Sequence, residues 1–253
     1  MQIDLRSDTV TKPSRSMLEA MMSAPVGDDV FSEDPTIIEL EKYAANLFGK
    51  EASLFCPSGT MTNQIAIKVH TQPGDELICD VNSHIYNYEG GGISFNSGVQ
   101  AKLIQGDEGR LSAEKIEAFI NADFDWLTRT SLVSLENTIN RAGGSYYTTE
   151  QINPISVLCK YINLCLHLDG ARIFSALIET GDSPKELGKC FDSISICLSK
   201  GLGAPIGSLL ISSQTFIKKA RKVRKVFGGG MRQAGFIAAA GIYCGDGVAF
   251  FKE

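Results

Sequence analysis

The sequence predicts an α/β fold on a mostly parallel or mixed sheet. Two observations carry that expectation. Short apolar runs of strand length alternate with stretches of helical spacing along the whole chain, as in a sheet covered by helices. Two of those runs, residues 164–168 and 194–198, lead straight into polar side chains: Asp169 and Arg172 after the first, Ser199 and Lys200 after the second. In open α/β sheets, ligands bind beyond the carboxyl ends of the strands. The separation of Asp169 and Lys200 suits one helix and a crossover between parallel strands.

The elements follow in order. Residues 1–35 read as an extended, loop-rich arm with one short helix near 14–22. Its polar run 6–9 and its acids Asp28, Asp29, Glu33 and Asp34 are too dense for a core. Residues 36–48 place Ile37, Leu40, Ala44 and Leu47 at helical spacing, and Gly49 stops the helix. A short apolar strand at 52–56 is followed by Ser58, Gly59 and Thr60, then by a helix over 63–70. A strand, small hydroxylated residues and a helix offer free backbone N–H groups to an anion. The same residues also serve as a plain helix cap, and the sequence leaves both open.

A strand at 76–80 ends shortly before His84, which makes that histidine a candidate for chemistry. His70 closes a helix, where positive charge suits the dipole. Residues 90–92 are three glycines, read as a flexible turn. A helix over 111–120, a strand over 130–135 ending at Glu136, and a helix over 151–162 lead to His167 and Asp169. These two lie on the same face of one strand, so His167 reads as core or as support behind the site. After Lys200 come Gly201, Gly203 and Gly207, a strand at 207–212, and a basic run at 218–225 read as a solvated helix face. A glycine run with Arg232 and an apolar helix over 234–243 close the pattern. The expected divisions are an arm (1–35), a major domain (36–243) and an atypical tail (244–253).

Composition narrows the function. A chain of 253 residues with 43% hydrophobic and 21% charged content is ordinary for a globular protein. Its net charge of −5 gives no reason to expect nucleic acid or a membrane surface as partner. Seven cysteines without a C-x-x-C pair argue against a disulfide framework and a zinc site, and fit a reducing, cytoplasmic setting. No nucleotide-binding glycine fingerprint follows a strand, so nicotinamide and triphosphate chemistry are disfavoured. No metal site is expected.

A lysine at a strand end before a glycine loop suits a covalent aldehyde carrier, because a lysine in a crevice loses its proton more readily and forms a Schiff base. Pyridoxal phosphate needs such a lysine together with an acid at its pyridinium nitrogen. Lys200 and Asp169 fill those roles. A surface lysine and a helix-capping aspartate would look the same in sequence.

Taken together, the motifs resemble the threonine aldolase family of fold-type-I pyridoxal-phosphate enzymes. The blocks that carry the resemblance are Asp4-Leu-Arg-Ser-Asp-Thr-Val-Thr, Pro57-Ser-Gly-Thr-Met-Thr-Asn, Ser83-His84, Leu135-Glu-Asn-Thr, His167-Leu-Asp-Gly-Ala-Arg, Ser199-Lys-Gly-Leu-Gly-Ala-Pro and Gly228-Gly-Gly-Met-Arg-Gln-Ala-Gly. The resemblance implies a three-layer α/β/α major domain and cleavage of L-threonine or L-allo-threonine to glycine and acetaldehyde. Lys200 would carry pyridoxal 5′-phosphate, Asp169 would pair with its ring nitrogen, and His84 would stack on the ring and act as base. Ser58, Gly59 and Thr60 would hold the phosphate. Ser7 and Arg172 would bind the substrate carboxylate. Lys225 and Arg232 would reach the phosphate region from a neighbouring subunit of a homo-oligomer, a dimer of dimers in the family. A β-eliminating lyase or an aminotransferase would share Asp169 and Lys200. The resemblance ends near Tyr243, before the small C-terminal domain of the family. It therefore implies a C-terminally truncated, catalytically impaired member whose final apolar helix is left bare.

Overall fold

The computed structural model describes residues 4–247. Its elements run α1 (Arg15–Ser23), α2 (Pro35–Leu47), β1 (Ala52–Cys56), α3 (Gly59–His70), β2 (Glu76–Asp80), α4 (His84–Asn87), α5 (Gly92–Ser97), β3 (Gln100–Ile104), α6 (Ala113–Ala118) and β4 (Thr130–Glu136). The second half adds α7 (Thr149–Tyr161), β5 (Cys165–Gly170), α8 (Ile173–Thr180), α9 (Pro184–Cys190), β6 (Ser193–Cys197), β7 (Ser208–Ser212), α10 (Gln214–Val226) and α11 (Gly235–Gly247). The fold is α/β with mostly parallel strands. Contacts divide the chain into two units, Met1–Thr62 with Ile196–Glu253, and Asn63–Ser195. The boundary expected at 35/36 does not coincide with either division.

In the unit Asn63–Ser195, β5, β4, β2 and β3 lie side by side in that order, every pair parallel. The register sets Glu136 opposite Asp169 at the ends of β4 and β5. Strand β4 is buried along its length, as a central parallel strand covered on both faces must be. The edge strand β3 was missed in sequence. Gln100 and Lys102 break its apolar pattern because one side of an edge strand faces solvent. The short helices α4 and α5 were also missed. The glycine run read as a flexible turn starts α5, and a Cβ at Gly92 would lie 2.5 Å from the Gln64 amide. Two short helices, α8 and α9, fill the connection expected to hold one, because Gly181 ends the first and Pro184 opens the second.

In the other unit, β1 and β7 pair antiparallel from Ala52↔Ser212 to Cys56↔Ser208. Helix α1 starts at its Ser14 cap, whose hydroxyl accepts from Met17 N at 3.2 Å. Helix α2 starts where the Asp34 carboxylate accepts from Ile37 N at 3.1 Å, with Pro35 in the first turn. Helices α2 and α10 pack on β1, and α11 packs on α1 and α2. Three expectations are corrected here. Asp29 and Asp34, judged too polar for a core, are buried. Asp34 accepts from Gly27 N and Gly235 N as well as capping α2. Asp29 meets the Arg224 guanidinium at 2.7 Å, so the basic helix is solvated on one face only. The apolar helix is bare only in part: Ala234, Ala238 and Ala240 are buried, while Phe236 and Tyr243 are exposed. Helix α11 also continues past residue 243 to Gly247, and Cys244 Sγ donates to Leu202 O at 3.0 Å. The remaining residues of the expected tail, 248–253, lie outside the described residues.

Candidate active site

Within the unit Asn63–Ser195, the strand ends deliver carboxyl groups to one histidine. His84 opens α4, and its backbone N–H donates to Glu136 Oε2 at 2.8 Å. Its ring Nδ1 lies 3.1 Å from Glu89 Oε1. Donor atoms of His84, Glu89 and Asp169 all lie within 4.8 Å of one another. The Glu89 hydrogen bond, followed by the charges of Asp169, Glu89 and Glu136, raises the His84 pKa against the opposing effect of burial. Burial and the Asp169 charge push Glu136 up to about 7. Burial likewise raises Glu89, while its hydrogen bonds act in the opposite sense. Tyr88 packs at 5.6 Å from the His84 ring, and the Arg141 guanidinium lies 5.2 Å over Tyr88. Arg172 stands at the start of α8, two residues past the end of β5.

Glu89 was missed in sequence. The only signal was an acid directly before a glycine run, which reads equally as a loop residue. It is the centre of this pocket: Oε1 accepts from Asn63 Nδ2 at 2.8 Å and Oε2 from Gln64 Nε2 at 2.7 Å. His167 is core, fully buried between Ser193 Oγ at 2.7 Å and Asn63 Oδ1 at 3.1 Å. His70 is corrected. Burial pushes its pKa down to about 4, so it is a neutral ring against Ser193 and no charge on the helix dipole.

In the other unit, α3 begins four residues earlier than expected, at Gly59. Its first backbone bond runs from Thr62 N to Ser58 O, so the N–H groups of Gly59 and Thr60 precede the hydrogen-bonded turn. Ser58 Oγ accepts from Met61 N at 3.2 Å, so it caps the helix as well as standing at its mouth. Only glycine fits at 59, since a Cβ there would lie 2.6 Å from Cys197 Sγ. Lys200 lies in the turn after β6, half-buried. Its carbonyl accepts from Thr11 Oγ1 at 3.0 Å and from Gly203 N at 2.9 Å. Gly207 closes this loop at φ 126°, with Phe55 Cε2 2.7 Å from where a Cβ would sit. Ser7 caps a short 3₁₀ turn and is exposed. Arg232 Nη1 donates to Asp28 Oδ2 at 2.9 Å. Lys225 lines a cleft of about 440 Å³ with Lys218, Arg221, Lys222, Arg224 and Asp29, a size that suits a small ligand.

The class is that of a lyase: the family model described as beta-eliminating lyase matches residues 4–249. The solved structure of the threonine aldolase of Leishmania major shares the fold, with a TM-score of 0.85, 24% identity, and coverage of 97% of this chain and 73% of that one. The low specificity L-threonine aldolase of Escherichia coli K12 is 48% identical over 242 residues, which is 95% of this chain and 72% of that protein. Low-specificity L-threonine aldolase 1 of Arabidopsis thaliana is 47% identical over 244 residues, 95% of this chain and 68% of that protein. The chain belongs to the low-specificity L-threonine aldolase family.

That family uses pyridoxal phosphate, and the residues present fit it. Glu89, Glu136 and Asp169 are three buried carboxyl groups gathered around His84. Such a pocket is short of positive charge, which a protonated pyridine nitrogen beside Asp169 supplies. A metal ion at the same three donors suits the pocket less well, because Glu89 already meets donors from Asn63, Gln64 and His84.

Proposed function

We propose that this chain cleaves L-threonine and L-allo-threonine between Cα and Cβ, giving glycine and acetaldehyde. The observation that supports the reading best is the cluster of half-buried His84 with buried Glu89 and Asp169 in a member of this family. When bound, pyridoxal phosphate supplies an electron sink for the carbanion left by bond cleavage. Lys200 provides the amine that holds it, and Ser58, Gly59 and Thr60 hold the phosphate at the start of α3. Asp169 keeps the ring nitrogen protonated through its charge. Arg172 and Ser7 bind the substrate carboxylate, an arginine fork matching a carboxylate in two hydrogen bonds. His84 takes the β-hydroxyl proton as the Cα–Cβ bond breaks. The ring nitrogen that takes it is the one not facing Glu89.

Lys225 and Arg232 complete the phosphate site of a neighbouring copy in a homo-oligomer, a reading supported by the basic cleft on α10. Seven free thiols, six of them buried, support a reducing, cytoplasmic setting. No helix among the described residues is long and apolar enough to cross a membrane.

The test is to measure acetaldehyde from threonine and pyruvate from serine with added pyridoxal phosphate, then to trap the bound cofactor with borohydride. Acetaldehyde formation and an adduct on Lys200 are expected. Pyruvate from serine as the main product points instead to a β-eliminating lyase, and an adduct on another lysine overturns the assignment.

A further inference from the structure

We propose that Glu89 is the positioning residue of His84, held ionised by one hydrogen-bond chain that runs through all three histidines of the protein. The chain lies wholly within Asn63–Ser195. It passes from His70 Nε2 to Ser193 Oγ at 2.8 Å, from Ser193 Oγ to His167 Nδ1 at 2.7 Å, and from His167 Nε2 to Asn63 Oδ1 at 3.1 Å. It continues from Asn63 Nδ2 to Glu89 Oε1 at 2.8 Å and ends at His84 Nδ1, 3.1 Å from the same oxygen.

The direction of each link follows from the chemistry of its neighbours. A carboxylate only accepts, so Asn63 turns its NH₂ to Glu89 and its carbonyl to His167. His167 therefore carries its proton on Nε2. Its Nδ1 then accepts from the Ser193 hydroxyl, whose oxygen in turn accepts from His70 Nε2–H. Every donor points toward Glu89. A second amide does the same: Gln64 Nε2 donates to Glu89 Oε2, and its carbonyl accepts from Asn96 Nδ2 at 3.2 Å. Reversing either amide would set a carbonyl against the carboxylate.

Glu89 is thus surrounded by donors, and His84 supplies the last of them. The Nδ1 of His84 keeps its proton, and Nε2 is left with the lone pair. This is the logic of a carboxylate that fixes the tautomer and plane of a histidine base. The other charged groups facing His84 are Glu136 at the end of β4 and Asp169 at the end of β5. The Nδ1 hydrogen bond goes to Glu89 and to neither of these: Glu136 accepts the His84 backbone N–H and the Asn140 N–H, and Asp169 Oδ1 accepts from Ala171 N at 3.3 Å. The catalytic consequence rests on the proposal that His84 takes the threonine hydroxyl proton. The tautomer lock itself does not.

Three histidines in the whole chain make the test direct. The cofactor-free protein is labelled with ¹⁵N in the histidine rings and its spectra are followed with pH. At pH 8, His84 is expected as the Nδ1–H tautomer, and His70 and His167 as Nε2–H. His84 is expected to take its proton with a pKa above the ordinary histidine value, while the other two stay neutral at pH 5. In Glu89→Gln the His84 tautomer should become mixed and its pKa fall, because the new amide presents an NH₂ to a ring of donors. Loaded with cofactor, the same variant should lose roughly ten- to a hundredfold in kcat, the low end of a general-base contribution, with KM little changed and the acid limb of the rate profile moved to lower pH. Wild-type His84 found as Nε2–H, or a Glu89→Gln spectrum unchanged at His84, overturns the proposal. The wild-type spectrum decides it even if the variant does not fold. Correct tautomers together with unimpaired threonine cleavage in His84→Ala would leave the lock standing and remove His84 as the base.

Discussion

Asp169 and Lys200 carry the strongest expectations at the scale of single residues. Asp169 is buried at the end of β5, in register with Glu136. Replacing it by asparagine keeps the shape and removes the charge that holds a ring nitrogen protonated. Asp169→Asn should therefore lower kcat for threonine by roughly 10²–10³-fold, the size of losing one preorganised electrostatic group. Steady-state kinetics at saturating cofactor check this, and a loss under threefold would remove Asp169 from that role. Lys200→Ala should abolish both turnover and the absorbance band of lysine-bound cofactor.

Helix α10 shows how one element holds its place. Its Arg224 is buried, pairs with buried Asp29 and donates to Phe55 O at 2.7 Å. Arg221, one turn earlier on the same helix, pairs with Glu41 and Asp29. Burial is the main influence on Asp29 and raises its pKa despite the arginines, so desolvation outweighs attraction and the pair is a weak source of net stability. Breaking it is another matter. Arg224→Met strands a buried carboxylate and a carbonyl, and should cost about 3–5 kcal/mol. Urea denaturation measures that loss. Adding Asp29→Asn should restore part of it, and an additive, still larger loss in the double variant would contradict the account.

At the scale of the whole molecule, acid stability is a contest between buried groups. His167 has its pKa pushed down to about 3 by burial, from an ordinary 6.5. Below 6.5 the unfolded chain takes up a proton that the folded chain refuses. The contribution of His167 to stability is therefore full above pH 6.5 and falls as pH drops toward 3, by about 1.4 kcal/mol per pH unit. Buried Glu89 and Glu136 have raised values and act in the opposite sense. Comparing wild type with His167→Gln isolates the histidine. The difference between them should shrink by roughly 2 kcal/mol from pH 6.5 to pH 5, and a pH-independent difference would show that His167 is not neutral in the folded chain. Oligomerisation is tested by light scattering: a fully active monomer would rule out the role proposed for Lys225 and Arg232.

The sequence by itself determined the α/β class, most strands within a residue or two, and the placement of His84 and Lys200 just past strand ends, while Asp169, expected just past β5, is one of its last two residues. Those features are local. Apolar runs, glycines and capping side chains act through near neighbours, so they leave a periodic trace. What only the tertiary structure decided is long-range. Glu89 gained its place through side chains from α3 and α4 that meet it from different stretches of chain. Asp29 and Asp34 read as solvent-facing acids until Arg224 and the start of α11 came back to bury them. His70 reads as a helix-end cation until Ser193 and burial make it neutral. A polar residue's sequence shows its charge, but its partner and its dielectric come from elements far along the chain. Those two quantities fix whether it is a surface group, a core group or a site.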